Sequence, residues 1–183
     1  SSEKPVVVVG AMRNGSELGY DGPSNLAAAI CTAAHENSRG KGVLVVLNNE
    51  VNTAREVTKT HTMSLDTFKS PEFGPIGIVD QDEVIYYHKS SAPTPHIETN
   101  QIESDVHLLK AVSGMDSTIL NFLVSQNVKG IVIEAMGRGN VPPLMLEGIK
   151  AATENKIPVV IVSRCLQGRV LGSYGYLGGG AQL

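Results

Sequence analysis

The chain has 183 residues, enough for one ordinary domain or for a larger and a smaller one. Hydrophobic residues make up 42%, charged residues 18%, and the net charge is -3. A core can therefore form, and no basic face argues for a nucleic-acid partner. No apolar run reaches the roughly 18 residues of a membrane span, and Ser1-Ser2-Glu3-Lys4-Pro5 lacks the charged-then-apolar pattern of a signal peptide; no membrane partner is expected. Cys31 and Cys165 sit in apolar company, far apart and without Cys-x-x-Cys spacing. Both are expected to be reduced core residues. Aliphatic runs separated by glycine loops favour an α/β fold.

The first run, Pro5 to Ala11 (PVVVVGA), predicts a strand buried on both faces. After a polar loop, Arg13 to Gly22, Pro23 opens a helix whose Leu26, Ile30, Ala33 and Ala34 share one apolar stripe. Val43 to Leu47 (VLVVL) is a second buried strand, which completes a βαβ unit. Asn48 to Gly74 is irregular and rich in threonine, asparagine and charge. Ile76 to Val79 and Glu83 to Tyr87, joined by Asp80-Gln81-Asp82, predict a hairpin. His88 to Ser104 carries Pro93, Pro95 and serines without periodicity, and is the candidate linker.

A second α/β block follows. Val106 to Val112 predicts a strand. Asp116 can cap a helix with Ile119, Leu120, Leu123 and Val124 on one face. Gly130 to Glu134 is a strand, Gly137-Arg138-Gly139-Asn140 a loop, and Pro142-Pro143 open a helix running to about Asn155. Ile157 to Val162 is a third strand. The glycine-dense tail, Gly172 to Gly180, has no element after it and looks cut.

Familiar chemical motifs are weak here. Gly137-x-Gly139-Asn140 lacks the third glycine of a dinucleotide fingerprint, and Gly178-Gly179-Gly180 has no following Lys-Thr. His35, His61, His88, His96 and His107 form no metal-ligand spacing. No G-x-S-x-G elbow supports a serine triad. Lys59 stands out in Val57-Thr58-Lys59-Thr60-His61-Thr62, beyond a buried strand. Chemistry alone favours an exposed lysine on a polar loop. The alternative is an amine that loses solvation among hydroxyls and takes a proton from a hydroxyl nucleophile.

At this segment a family resemblance takes shape. Gly10-Ala11-Met12-Arg13, Asp21-Gly22-Pro23-Ser24-Asn25-Leu26, Gly42-Val43-Leu44-Val45-Val46-Leu47-Asn48-Asn49 and Val57-Thr58-Lys59-Thr60 resemble, in order and spacing, the bacterial L-asparaginases. So do Ser70-Pro71-Glu72-Phe73-Gly74-Pro75-Ile76-Gly77, Gly137-Arg138-Gly139-Asn140 and Ser163-Arg164. The resemblance covers nearly the whole chain. It implies hydrolysis of asparagine to aspartate and ammonia, with no metal or organic cofactor. A threonine nucleophile, a Thr-Asp pair and a lysine would carry it out. The lysine position matches Lys59, and the backbone carbonyl that receives the substrate's side-chain amide matches Ala11. The resemblance further implies an acyl-enzyme route with an oxyanion held by backbone donors, and active sites shared between subunits of a homodimer or homotetramer.

The departures also carry expectations. The family's T-G-G-T-I and G-T-D-T motifs do not occur in this chain, nor does the closing K-A-R helix. The chain is therefore expected to be a fragment, inactive alone and without its own nucleophile. Its class is α/β: an incomplete parallel-sheet N-terminal domain over residues 1–87, a linker over 88–104, and a smaller, truncated α/β C-terminal domain over 105–183. Where secreted-type members present an asparagine in trans, this chain has Val112-Ser113-Gly114-Met115-Asp116. Asp116 could supply a polar group there instead, and as a helix cap it has a local role open to it. That turn and the Tyr176-x-Gly178-Gly179-Gly180 tail look closer to intracellular members from Gram-positive bacteria, so a cytoplasmic location is expected, with a secreted or periplasmic one as the alternative. Two other functions compete: a subunit of a tRNA-dependent amidotransferase, which would need a further N-terminal domain and a partner, and a non-catalytic amino-acid-binding module.

Overall fold

A computed structural model of the protein describes residues 4–88 and 97–183. The chain divides into two compact units, Ser1–Glu98 and Thr99–Leu183. Residues 89–96, which include Pro93, Pro95 and His96 of the expected linker, lie outside the described residues.

In the first unit the strands are β1 (Val6–Val9), β2 (Val43–Leu47), β3 (Glu50–Thr53), β4 (Thr58–Lys59), β5 (Phe68–Lys69), β6 (Gly77–Asp80) and β7 (Glu83–Tyr86). One helix, α1 (Gly22–Ala34), connects β1 to β2. Five of the strands form one sheet in the order β1-β2-β3-β6-β7, and β4-β5 stand apart as a two-stranded ribbon. β1 and β2 pair in parallel, Val6 opposite Val43 and Val9 opposite Val46, as the βαβ pattern requires. The rest of the sheet is antiparallel, so among the described residues this domain carries a mixed sheet with a single parallel pair.

The antiparallel part begins at a turn inside the stretch that sequence left irregular. Leu47 pairs with Glu50, leaving only Asn48 and Asn49 between the strands. Both have positive φ, 50° and 61°. A two-residue hairpin turn of the primed type needs that conformation twice, and asparagine tolerates it. The Asn-Asn pair between VLVVL and EVNT was the readable signal. The later hairpin forms as expected, with Gln81 (φ 54°) in its turn.

Two burial expectations in this unit are corrected. Helix α1 does not bury Leu26, Ile30, Ala33 and Ala34. Its covered face is Asn25, Ala28, Ala29 and Thr32, a neighbouring stripe at i, i+3, i+4, i+7 spacing. Leu26 and Ile30 are 52% and 60% exposed. Small residues let the helix axis approach the sheet, and Ala28 and Ala29 pack with Leu44, Val46, Val51, Ile76, Val79 and Val84. Strand β1, for its part, is not covered on both faces. Val7 and Val9 pack against that cluster, whereas Val6 and Val8 are half exposed. Among the described residues β1 has β2 as its only ladder partner and α1 on one side.

The second unit holds β8 (Val106–Lys110), β9 (Gly130–Ala135), β10 (Val159–Ser163), α2 (Thr118–Ser125) and α3 (Leu146–Glu154). The strands form a parallel sheet in the order β10-β9-β8. Its core gathers Leu120, Leu123, Ile131, Ile133, Met145, Ile149 and Ile157. A 3-10 turn at Pro143–Met145 leads into α3. On α2 the buried pair is Leu120 and Leu123. Ile119, expected beside them, is 47% exposed. Cys31 lies against the first core, but Cys165 is exposed in the turn after β10, contrary to expectation. Both thiols are free.

Candidate functional site

The carboxyl end of a parallel strand followed by a helix N-terminus is where α/β folds place ligands. In this chain that place is Gly10 to Arg13, between β1 and α1. The carboxylate of Asp21, the residue capping α1, accepts no capping bond from the backbone of its own helix. It reaches back over the loop and accepts from Met12 N (3.1 Å to Oδ1, 3.0 Å to Oδ2) and from Arg13 N (3.0 Å). Asn25, one helical turn on and only 3% exposed, donates from Nδ2 to Asp21 Oδ2 (2.8 Å) and to Gly10 O (3.0 Å). Its Oδ1 accepts Asn48 N at 3.0 Å. One polar network thus joins the end of β1, the start of α1 and the β2–β3 turn.

The charge of Asp21 is held by this network. Burial alone would raise its pKa, but the Met12, Arg13 and Asn25 donors outweigh that and keep it below the ordinary carboxylate range. The loop beyond is also fastened, by Arg13 Nη1 donating to Leu18 O and Gly19 O, both at 3.1 Å. Ala11 is exposed, and no donor among the described residues reaches its carbonyl oxygen. An acceptor held in place and left unpaired can take an amide N–H from a ligand.

Lys59 ends β4, where it stands opposite Phe68 of β5. It is exposed. Its ammonium meets no hydrogen-bonding or ionic partner among the described residues, so the desolvated pocket envisaged from its threonine neighbours is not built by them. Those hydroxyls hold the ribbon instead. Thr60 Oγ1 donates to Thr67 O at 2.8 Å, and Thr67 Oγ1 accepts His61 N at 2.6 Å. His61 Nδ1 accepts from Met63 N and Ser64 N, both at 3.1 Å, which makes it a loop cap. No hydrogen bond joins Lys59 to Ala11.

In the second unit Asp116 Oδ1 accepts Thr118 N at 2.9 Å, which satisfies a donor in the first turn of α2. That bond lowers the Asp116 pKa. Its neighbour Ser117 donates to Leu144 O (2.6 Å) and accepts Gly148 N (2.9 Å), linking α2 to α3. The family-like loop residues there are also structural. Asn140 Oδ1 accepts Gly180 N at 3.1 Å, and Ser163 Oγ donates to Gly137 O at 2.5 Å. Among the described residues no cluster of three or more His, Cys, Asp or Glu could hold a metal ion, and no helix is long and apolar enough to cross a membrane.

Ala11 is legible in its motif, whereas Asp21 and Asn25, which hold the turn around it, are not singled out by the sequence. Two signals could have found them: an Asp before a Gly-Pro helix start, and an Asn four residues later amid alanines.

Two successive α/β units, the first presenting a clamped strand-end turn with a free carbonyl, define a two-unit α/β protein with its candidate site after the first strand. Residues 1–92 match the family model for "Asparaginase, N-terminal" and residues 105–183 that for "Glutaminase/Asparaginase C-terminal domain". The chain belongs to the asparaginase family. It is 40% identical over 167 residues to a "Probable L-asparaginase periplasmic" of Haemophilus influenzae, covering 88% of this chain and 48% of that protein. A "Probable L-asparaginase" of Deinococcus radiodurans is 38% identical over 98% of this chain and 55% of its own length. An "L-asparaginase" of Bacillus licheniformis is 34% identical over 96% and 54%. The chain spans about half the length of the curated relatives it matches.

Proposed function

We propose that the protein carrying this chain hydrolyses L-asparagine to L-aspartate and ammonia. The observation that carries this reading is the unpaired Ala11 carbonyl, held at the carboxyl end of β1 by the Asp21–Asn25 network. Membership of the asparaginase family and the names of the relatives supply the substrate. In this reading Ala11 O accepts an N–H of the substrate's side-chain amide. A threonine supplied from outside this chain attacks the amide carbon, backbone donors hold the oxyanion, the C–N bond breaks as ammonia leaves with a proton, and water then hydrolyses the acyl-enzyme to aspartate. Lys59 assists proton movement at the nucleophile, either as a neutral base or as a charged organiser of a neighbouring carboxylate. No metal or organic cofactor enters the reaction.

Self-association as a homodimer or homotetramer belongs to the same proposal, with Asp116 serving a neighbouring subunit's site in trans. In that position it would exchange its local bond to Thr118 for a substrate contact. The likeness of the Val112–Asp116 turn and the Tyr176-x-Gly178-Gly179-Gly180 tail to intracellular members favours a cytoplasmic location, with a secreted or periplasmic one as the alternative.

The test is ammonia release from L-asparagine by the purified source protein, together with its intact mass. Ammonia release by a single chain near 35 kDa, about one two-domain enzyme, supports the proposal. A native 19.4 kDa protein that binds asparagine and never turns it over would sink it in favour of an amino-acid-binding module.

A further inference from the structure

The peptide between Ala11 and Met12 is gripped from one side only. Its N–H lies against both oxygens of the Asp21 carboxylate, at 3.1 and 3.0 Å. Its C=O meets no donor among the described residues. In a planar trans peptide these two groups point in opposite directions, so fixing one aims the other. The flanking groups are held as well: Arg13 N by Asp21 and Gly10 O by Asn25. Asn25 is buried and also fastened to Asn48, so the grip is anchored in the fold rather than in the loop.

We infer that Asp21 is a positioning and specificity-determining residue, which aims the Ala11 carbonyl and strengthens it as an acceptor, with Asn25 as its buried anchor. The inference rests on the proposed role of Ala11 in receiving a substrate amide. An anion bonded to the N–H end of a peptide polarises it and draws electron density toward the oxygen. A more negative carbonyl favours a ligand that brings an N–H donor and repels one that brings a carboxylate. The Asp21 charge therefore sets asparagine apart from aspartate at the side-chain end, and helps the product leave.

The experiment uses the source protein with Asp21→Asn, which keeps size and removes charge. The readouts are kcat and KM for L-asparagine and the inhibition constant of L-aspartate as competitor. The ratio of the aspartate constant to the asparagine KM is expected to fall about tenfold, with kcat changed less than KM. A purely structural role would weaken both ligands together and leave the ratio alone; that result, or unchanged constants in an active enzyme, overturns this assignment by itself. A wild type that never turns over asparagine overturns the substrate reading and this assignment with it. If the Asp21→Asn chain does not fold, Asn25→Ser carries the test: a fall of about threefold in the same ratio supports the anchor, and an unchanged ratio overturns it.

Discussion

The side-chain oxygen of Asn25 accepts the backbone N–H of Asn48 at 3.0 Å, so the first turn of α1 is tied directly to the turn between β2 and β3. The same amide holds Gly10 O and Asp21 from its nitrogen. Asn25 is itself 3% exposed, whereas Gly10 and Asn48 are exposed, so water can take over part of these bonds when the side chain is removed. Asn25→Ala is expected to cost about 1–2 kcal/mol, because three hydrogen bonds and the packing of a buried side chain are lost together. Urea unfolding of the source protein and the variant measures this, and an unchanged midpoint would show that the network contributes no stability.

Gly148 of α3 faces α2 closely enough that a Cβ there would lie 2.7 Å from Leu120 Cβ and 2.9 Å from Ser117 Cβ. Alanine is usually better than glycine inside a helix by about 1 kcal/mol. Here overpacking wins, and Gly148→Ala is expected to destabilise by about 1–3 kcal/mol. The sign of the change in thermal midpoint decides between the two effects.

Asp66 is expected to add a small acid sensitivity. A hydrogen bond from Ser64 and the Lys69 ammonium at 2.9 Å hold its pKa at about 2, against an ordinary 3.8. A carboxylate whose pKa is lowered by folding contributes stability in full above its unfolded value. That contribution is lost as pH falls from 3.8 through about 2. Asp66→Asn should flatten the decline in unfolding midpoint over that window. A decline of unchanged steepness would mean that this exposed pair contributes nothing measurable.

Lys59→Met separates catalysis from folding. The ammonium is exposed at the end of β4 and has no partner among the described residues, so its loss should leave the thermal midpoint nearly unchanged. In the proposed mechanism kcat for asparagine falls by about 10²–10⁴-fold. Steady-state kinetics on the source protein test this, and a near-normal kcat would remove Lys59 from the mechanism.

The sequence by itself missed β3, β4 and β5, but it determined the order of the elements outside residues 48–74, the α/β class in two successive blocks and the later hairpin of the first unit. These rest on local signals: β-branched runs, proline at helix starts, and turn residues between alternating strands. It also led to Ala11 through its motif. Tertiary structure decided which face each element buries. Leu26 and Ile30 form the more hydrophobic stripe of α1, yet the helix packs through Asn25, Ala28, Ala29 and Thr32. Close approach to the sheet, and the three hydrogen bonds that Asn25 completes there, outweigh side-chain hydrophobicity. The same holds for Asp21. Its sequence position marks it as a helix cap, but the path of the loop brings Met12 and Arg13 N–H onto its carboxylate. Residues nine and eight apart along the chain meet only because β1 and α1 are fixed side by side, and no local propensity encodes that contact.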